Sequence, residues 1–371
     1  MGYKILMALN GLDIGGAETH TVELSLELHR RGYEVILASN GGTYVSKLEE
    51  AGLRHYQVPL NRRKAGAMRT SQKMLEQIIR EEKPDIVHAH ARIPAYLIGR
   101  LQKKLKFAFV TTDHAVFQSS FLADRMTDWG DYTVAVSQDT KNYLMEKFGV
   151  PEDHILVTIN GIDTNRFSPE TSAEPIAAEL GLNLNRPVLG TVSRLDPTSS
   201  KAATLLLENA PALAEKIPGL QFVIVGGGGE FEKLKELAAR QNEAAGAPYI
   251  HMTGPRTDVD QILAVCDCFV GVGRSALEAM ATEKPVILAG NRGYQGILTP
   301  DNLEDASSRN FGCRNAQPLE GGPLCRDIIS LLQMSGEEKQ KLGSFGRSVV
   351  LERYSVSRMV DDYEKVYRQV L

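Results

Sequence analysis

The segment YKILMALNGLDIGGAETHTVELSLELHRRG, residues 3–32, decides the fold. Tyr3–Leu9 is a short apolar run, which is typical of a buried strand. After Gly15 and Gly16, leucines alternate with charged residues in a pattern that predicts an amphipathic helix ending at Gly32. A helix that starts just after a strand and a glycine pair offers free backbone N–H groups to an anion. The G-x-G-x-x-G pattern of a dinucleotide site is absent, so a tight glycine turn is the alternative.

The same alternation of strand and helix continues along the chain and predicts parallel α/β sheets covered by helices. It breaks near Ser168, in a segment rich in Pro, Ser, Thr and Asn. We therefore predict an N-terminal domain over 1–168 and a C-terminal domain over 169–354, with a terminal helix over 355–371 that packs back on the first. Predicted strands are Tyr3–Leu9, Glu34–Ser39, Ile86–His90, Phe107–Thr112, Thr133–Val136, Ile155–Ile159, Val188–Ser193, Gln221–Val225, Tyr249–Thr253, Cys268–Gly271 and Pro285–Leu288.

The bulk composition restricts the class of protein. The chain has 371 residues, enough for about two domains at roughly 150 residues each. Its net charge of −4 gives no reason to expect a nucleic-acid partner. The N-terminus shows no signal-peptide pattern, and no apolar run is long enough to span a bilayer, so we predict a cytoplasmic protein. The four cysteines lack metal-site spacing and are expected to be free thiols.

A second candidate anion site is SRLDPTSSKAAT, residues 193–204. Arg194 ends a predicted strand, Thr198, Ser199 or Ser200 can cap the next helix, and Lys201 lies in its first turn. A cation at a helix N-terminus opposes the dipole unless an anion lies between them, so this arrangement suits a diphosphate. The alternative is a surface loop with two solvated charges.

Two further strand-to-helix turns carry glycines. The run Gly226–Gly229 either brings the backbone close to a ligand or forms a mobile turn, and we favour the turn. In GVGRSALEAM, residues 271–280, we predict that Ser275 caps a helix with Glu278 in its first turn. A carboxylate there is stabilised by the dipole and can accept hydrogen bonds from two ribose hydroxyls. Ordinary helix-start chemistry is the alternative.

Three histidines follow predicted strands. His88 and His90 alternate on one strand and so point to one face, without the further ligands that a metal needs. His114 follows a strand at its carboxyl end, where open α/β sheets bind their ligands. A structural role is the alternative for each.

Together these stretches resemble the retaining nucleotide-sugar glycosyltransferases of the GT-B fold, family 4, of the glycosyl transferase group 1 type. The resemblance covers nearly the whole chain. It implies two Rossmann-like domains facing a central cleft, with the nucleotide sugar bound by the C-terminal domain and the acceptor by the N-terminal domain. The segments that carry it include GGAETHTVELSLELHRRGYEV (15–35), DIVHAHAR (85–92), TTDHAVF (111–117), INGIDTNRFSP (159–169), VSRLDP (192–197) and LEAMATEKPVI (277–287).

The resemblance also implies roles for individual residues. Arg194 and Lys201 would neutralise the leaving diphosphate, and His114 would lie under the donor sugar. Glu278 would hold the ribose hydroxyls, and the base would lie at the edge of residues 254–256. The implied donor-binding residues are Gly15, Gly16, Gly254, Pro255, Arg256, Gly273, Arg274, Ser275 and Glu278.

The expected reaction is transfer of a sugar from a nucleoside diphosphate to an acceptor hydroxyl by a hexosyltransferase-type enzyme, with retention and without a metal or other cofactor. Two departures from the family pattern stand out. Val270 occupies the position of the first of two glutamates, and Arg194 and Lys201 are seven positions apart instead of five. A sugar-nucleotide epimerase of the same fold and a degenerate nucleotide-binding partner subunit are the alternatives.

The segment 61–106 is strongly basic, with twelve Lys or Arg against four Asp or Glu. A solvated face is the reading we favour, because charge runs usually are solvated. The alternative is an anionic or lipid-linked acceptor, or weak peripheral association with the inner face of a membrane.

Overall fold

The computed structural model describes residues 2–116 and 126–371, so Phe117 of the TTDHAVF segment lies outside the described residues. The chain forms two compact units. The first combines the chain up to Gly161 with Ser355–Leu371, and the second is Ile162–Tyr354. The boundary predicted near Ser168 falls inside the second unit.

The first unit is built on a parallel sheet. Its strands are β1 (Lys4–Ala8), β2 (Glu34–Ser39), β3 (Arg54–Gln57), β4 (Ile86–Ala89), β5 (Ala108–Asp113), β6 (Tyr132–Ala135) and β7 (Ile155–Val157), in the order β3-β2-β1-β4-β5-β6-β7. Leu6 of β1 pairs with Ile36 on one side and Val87 on the other. Central strands of this kind are buried on both faces, which is why they read as continuous apolar runs.

Helices cover both faces of this sheet. They are α1 (Gly16–Arg30), α2 (Val45–Glu50), α3 (Ala65–Glu82), α4 (Arg92–Leu105), α5 (Gln138–Phe148) and the terminal helix (Val356–Val370). Side chains on a strand alternate between faces. Accordingly, Ile5 and Met7 pack in the core under α1 and the terminal helix, whereas Leu6 and Ala8 pack in the core under α3 and α4.

The second unit repeats the plan. Its strands are β8 (Val188–Val192), β9 (Gln221–Val225), β10 (Ile250–Gly254), β11 (Cys268–Gly271), β12 (Val286–Gly290) and β13 (Gly293–Ile297), in the order β10-β9-β8-β11-β12-β13. All neighbours are parallel except β12 and β13. Its helices are α6 (Glu174–Leu180), α7 (Lys201–Lys216), α8 (Phe231–Ala245), α9 (Val259–Ala264), α10 (Gly273–Ala281), α11 (Leu303–Ser308), α12 (Gly321–Gln333) and α13 (Gly336–Val349).

The predicted fold class of parallel α/β sheets is confirmed, and every predicted strand is present with small differences at its ends. Two edge strands were not predicted. β3 has the sequence RHYQ, and β13 has GYQGI with Gly293 and Gly296 at positive φ. An edge strand has a neighbour on one side only, so it needs no long apolar run.

Candidate active site

The glycine pair lies where α1 begins. Gly15 precedes the helix in extended backbone, and no side chain caps this helix end. A Cβ placed on Gly15 would lie 2.2 Å from the Glu18 Oε2 atom, whereas nothing lies within 4 Å of one on Gly16. Glycine at position 15 therefore leaves room for the Glu18 carboxylate beside the positive end of the helix dipole. The contact of Gly15 and Gly16 with a diphosphate stays a prediction.

His114 lies in a group of buried imidazoles. Its Nε2 atom is 3.3 Å from Nδ1 of His90, and its ring meets the His20 ring edge-on at 4.9 Å. Burial lowers the pKa of His114 to about 4 and that of His88 to about 3, and it holds the pKa of His90 well below its usual value. His88, His90 and His114 are therefore neutral at neutral pH and can exchange hydrogen bonds without adding charge.

The terminal helix supplies two tyrosines to this group. The Tyr367 hydroxyl and Nδ1 of His88 share a hydrogen bond of 2.8 Å, and the Tyr363 hydroxyl lies 2.8 Å from Nε2 of His20. Tyr363 is also 3.0 Å from the Thr112 hydroxyl, which bonds Nε2 of His88 at 2.8 Å. Both ring nitrogens of His88 are thus occupied, which gives His88 a structural role.

A cavity of about 500 Å³ opens beside His114 at the carboxyl ends of β1, β4 and β5. Its wall includes Asp113, which is only 4% exposed and whose carboxylate accepts hydrogen bonds from the backbone N–H groups of His114 and Ala115. Burial raises the pKa of Asp113 to about 7. Asp113 was not among the predicted site residues, although its place at the end of a strand was a usable signal. The wall also includes Asn10, Glu18, Arg63, His90, Arg92 and Trp129.

In the second unit, Arg194 and Lys201 flank the turn between β8 and α7. Both are exposed, and neither side chain forms an ion pair or hydrogen bond with any part of the chain that the structure describes. Lys201 is the first residue of α7, as predicted, but no side chain at Ser200 caps the helix. The turn thus presents two available cations beside a helix N-terminus.

Asn291, the residue after β12, holds this turn in place. Its Oδ1 atom accepts the backbone N–H of Lys201 at 2.8 Å, and its Nδ2 group donates to the carbonyl of Pro197 at 3.1 Å. Asn291 was not among the predicted site residues. Because it follows a strand at its carboxyl end, position alone could have suggested it.

The glycine run packs against the same turn. Gly226 and Gly228 have φ values of 142° and 149°, and a Cβ on Gly226 would lie 1.8 Å from the carbonyl oxygen of Ser193. Gly227 accepts the N–H of Leu195 at 2.9 Å. The glycines therefore let the loop after β9 approach the loop after β8, which fixes the backbone around Arg194.

Gly254, Pro255 and Arg256 follow β10. Gly254 has a φ of 75°, which favours glycine, and Pro255 is exposed. The Arg256 guanidinium donates to both carboxylate oxygens of Asp258 and also to Glu179, and these bonds raise the pKa of Arg256. Its side chain thus joins two elements of the second unit. A contact of this segment with the base stays a prediction, and it falls on the backbone and Pro255.

The prediction for the start of α10 is wrong. The helix begins at Gly273, so Ser275 lies inside it and donates its hydroxyl to the Val272 carbonyl at 3.1 Å, and Glu278 lies beyond the first turn. Arg274, and not the helix dipole, is therefore the partner of Glu278: its Nε donates to Oε1 at 2.8 Å. Burial raises the pKa of Glu278, and Arg274 opposes this.

Val270 is fully buried in β11 and packs in the core of the second unit. The Val270 side chain therefore contributes to packing in that core. The position of the first glutamate in the family pattern is therefore part of the hydrophobic core in this protein.

Two observations concern metals and membranes. Within residues 2–116 and 126–371, no three His, Cys, Asp or Glu side chains are grouped so as to hold a metal ion. No helix in those ranges combines the length and the apolar character that a membrane crossing requires.

Two family models match the chain, one in each half. Glycosyltransferase Family 4 matches residues 14–166, and Glycosyl transferases group 1 matches residues 186–308. The alpha-maltose-1-phosphate synthase of Mycolicibacterium smegmatis is 24% identical over 390 residues, which cover 96% of each chain.

Solved structures extend the likeness to the whole fold. A glycosyltransferase from Rickettsia africae matches with a TM-score of 0.78 and 21% identity, over 100% of this chain and 98% of its own. Alr3699/HepE of Anabaena, solved in complex with UDP, matches with a TM-score of 0.73 and 19% identity, over 99% of this chain and 100% of its own.

The fold and these comparisons define the class: the protein is a glycosyltransferase of the GT-B fold and so an enzyme of the hexosyltransferase type. Within that class, the chain belongs to glycosyltransferase family 4, of the group 1 type. The resemblance that the motifs carry is confirmed.

Proposed function

We propose that the protein transfers a sugar from a nucleoside-diphosphate sugar to an acceptor hydroxyl, with retention and without a metal ion. The observation that carries this proposal is the pair of exposed cations, Arg194 and Lys201, beside the N-terminus of α7. The described chain offers them no anionic partner. A diphosphate between them would complete the local charge balance.

The proposed reaction requires positive charge beside the leaving diphosphate. As the bond between the sugar and the diphosphate breaks, negative charge grows on the leaving group. Fixed cations that already point to that charge stabilise the transition state without reorganisation. Arg194 and Lys201 would supply the charge that a metal ion supplies elsewhere, and Asn291 would hold Lys201 in place through its backbone.

The rest of the donor has candidate partners at the same edge of the sheet. Glu278 would accept hydrogen bonds from the ribose hydroxyls, with Arg274 orienting the carboxylate. The backbone of Gly254 and Pro255 would meet the base. Gly15, Gly16 and His114 of the first unit would complete the donor contacts, with His114 as a neutral hydrogen-bonding group under the sugar. Gly273 and Ser275 would fix the start of α10.

The UDP complex of Alr3699/HepE makes a UDP-sugar the first donor to test. The experiment measures release of nucleoside diphosphate from UDP-, GDP- and ADP-sugars by the full chain, with and without candidate acceptors. Acceptor-stimulated release with a new glycoside in the product supports the transferase. Conversion of the donor sugar without release would identify an epimerase, and binding without turnover would identify a partner subunit.

A further inference from the structure

Residues 309–315, between α11 and α12 of the second unit, have a strained backbone. The residues of this segment that have a positive φ although they are not glycine are Asn310 (52°), Phe311 (54°), Cys313 (53°) and Asn315 (59°). The left-handed region is costly for a residue with a side chain, and a bulky aromatic residue is rare there. Strained residues persist only where the surrounding contacts enforce them, and they cluster at functional positions.

Contacts with two neighbouring elements hold the 309–315 segment in this conformation. The backbone N–H of Phe311 donates to the carbonyl of Ala306 in α11 at 2.8 Å. A Cβ on Gly293 of β13 would lie 2.4 Å from the carbonyl oxygen of Cys313, so β13 packs directly against the segment. The strained backbone is therefore fixed from both sides and is part of the folded structure of the unit.

The backbone carbonyl of Phe311 holds the start of α10. It accepts the N–H of Gly273, the first residue of that helix, at 2.8 Å. The first N–H groups of a helix have no partner inside the helix, and at Val272 no side chain of the described chain caps this end. The 309–315 segment thus supplies the contact that a capping side chain supplies elsewhere. The next residue, Arg274, orients the Glu278 carboxylate, so the place of that carboxylate depends on how the helix start is held.

The Phe311 side chain anchors the segment in the interior of the unit. It is fully buried and meets the Tyr354 ring edge-on, with the ring centroids 5.3 Å apart and the planes at 80°. Aromatic pairs in this geometry contribute stability beyond the area that they bury. The Tyr354 hydroxyl shares a hydrogen bond with the hydroxyl of Ser307, and its backbone carbonyl accepts the N–H of Ile162 at 2.8 Å. Phe311 is therefore packed against a residue that is itself held in place.

On the basis of the proposed function, in which Glu278 binds the ribose, we propose that Phe311 is a positioning residue of the donor site. Its side chain is fixed by Tyr354 and its carbonyl holds Gly273, so the strained backbone that joins these two contacts sets the start of α10. The Glu278 carboxylate is then already in place when the nucleotide arrives, which lowers the cost of binding. Phe311 acts through the helix and does not contact the donor itself.

Recognition of the ribose hydroxyls tests this role. Calorimetry gives the affinities of the full chain for UDP and for 2′,3′-dideoxy-UDP, and their ratio reports on the hydroxyls alone. Wild type should prefer UDP by about 10-fold or more, because hydrogen bonds to a charged group are at stake. Phe311→Leu keeps an apolar side chain but removes the ring, and it should lower the ratio to about 3-fold or less because the carboxylate is misplaced.

Hydrogen exchange gives a second measurement that does not depend on the ligand. Because the N–H of Gly273 is bonded to the Phe311 carbonyl, the peptide that covers residues 273–278 should exchange faster in Phe311→Leu than in wild type. The same peptide should keep its wild-type rate in the control variant described next.

Phe222→Leu is the matched control. Phe222 is also fully buried in the second unit and also meets a tyrosine edge-on, Tyr249, at 5.9 Å, but it lies near the amino end of β9. Urea unfolding should show that both leucine variants lose stability, whereas the nucleotide ratio should change in Phe311→Leu alone. If Phe311→Leu does not fold, Tyr354→Leu replaces it, with Tyr354→Phe as the conservative variant that keeps the ring and should keep the ratio.

The possible results separate the two proposals. A wild-type preference for UDP that Phe311→Leu retains, or that Phe222→Leu loses to the same extent, would overturn the positioning role and leave the ribose assignment of Glu278 intact. Equal binding of UDP and its dideoxy analogue by wild type would remove the ribose assignment, and the role of Phe311 with it.

Discussion

The ionisable residues Arg194, Lys201 and Asp113 differ in their surroundings. Arg194 and Lys201 are exposed and unpaired in the described chain, so they are free to meet an anion. Asp113 is buried in a cavity wall, and burial makes its ionisation costly. Exposed charges without partners and buried groups whose ionisation is costly are both typical of functional positions.

Arg194→Ala and Lys201→Ala should each lower the turnover of the donor by about 10²-fold or more, because each removes a cation from the leaving group. Steady-state release of nucleoside diphosphate measures this. The control variants are Arg186→Ala, before the amino end of β8, and Lys216→Ala, at the far end of α7; both are exposed and should keep near wild-type rates. Equal rates in all four variants would remove the diphosphate assignment.

Asp113→Asn should stabilise the protein at high pH. The pKa of Asp113 in the folded protein is about 7, above the value of 3.8 for a free aspartate, so the folded state binds this proton more tightly. The resulting stability is fully present below about pH 4 and is lost as the pH rises through 7. The variant should therefore gain up to about 4 kcal/mol relative to wild type between pH 4 and pH 8.

Urea unfolding at several pH values measures this gain. Other groups around the cavity are Arg63, Arg92 and Glu18, together with His90 and His114, which are neutral throughout most of this range. A difference between variant and wild type that does not change with pH would contradict the assignment of the titration to Asp113.

At the scale of the element, the sequence predicted the structure correctly where a single local pattern determines it. The central strands are apolar because both faces are buried, and the turns after β1 and β8 could be located because a helix follows them directly. The sequence pattern did not predict β13, in which Gly293 and Gly296 have positive φ. It also wrongly predicted that Ser275 caps α10. The pairing of Arg256 with Glu179 and the cavity around Asp113 depend on contacts between distant segments, which local patterns do not encode.

Glu278 in α10 gives a prediction of its own. If Glu278 accepts hydrogen bonds from ribose hydroxyls, wild type should bind UDP about 10-fold or more tightly than 2′,3′-dideoxy-UDP, because hydrogen bonds to a charged group are lost. Glu278→Gln should reduce this ratio toward one. Calorimetric titration of both ligands into both proteins measures it. An unchanged ratio in the variant would place the ribose elsewhere.

On the scale of the whole molecule, the segment 61–106 carries a local excess of basic residues. Arg80 and Lys104 pair with Glu76, whereas Arg62, Lys64 and Arg69 are exposed and without ion pairs in the described chain. A solvated face remains the simplest interpretation. An anionic membrane surface is the alternative, since each basic residue near it contributes about 1 kcal/mol.

Vesicle co-sedimentation decides between them. If the segment meets a membrane, the protein should bind vesicles with anionic lipid weakly at low salt, release them at higher salt and ignore neutral vesicles, because the attraction fades within about 8 Å at physiological salt. Replacing Arg62, Lys64 and Arg69 with Gln should weaken binding and leave donor hydrolysis unchanged. Arg63 is kept because it lines the cavity. Absence of binding at low salt would support the solvated face.

The central claim is that this glycosyltransferase uses the side-chain cations Arg194 and Lys201, and not a metal ion, to stabilise its leaving diphosphate. The most direct test is the rate of nucleoside-diphosphate release from the preferred donor and acceptor in excess EDTA. The account predicts an unchanged rate for wild type in EDTA and a loss of about 10²-fold on Arg194→Ala under the same conditions. Loss of wild-type turnover in EDTA, with recovery on addition of Mg²⁺ or Mn²⁺, would contradict it.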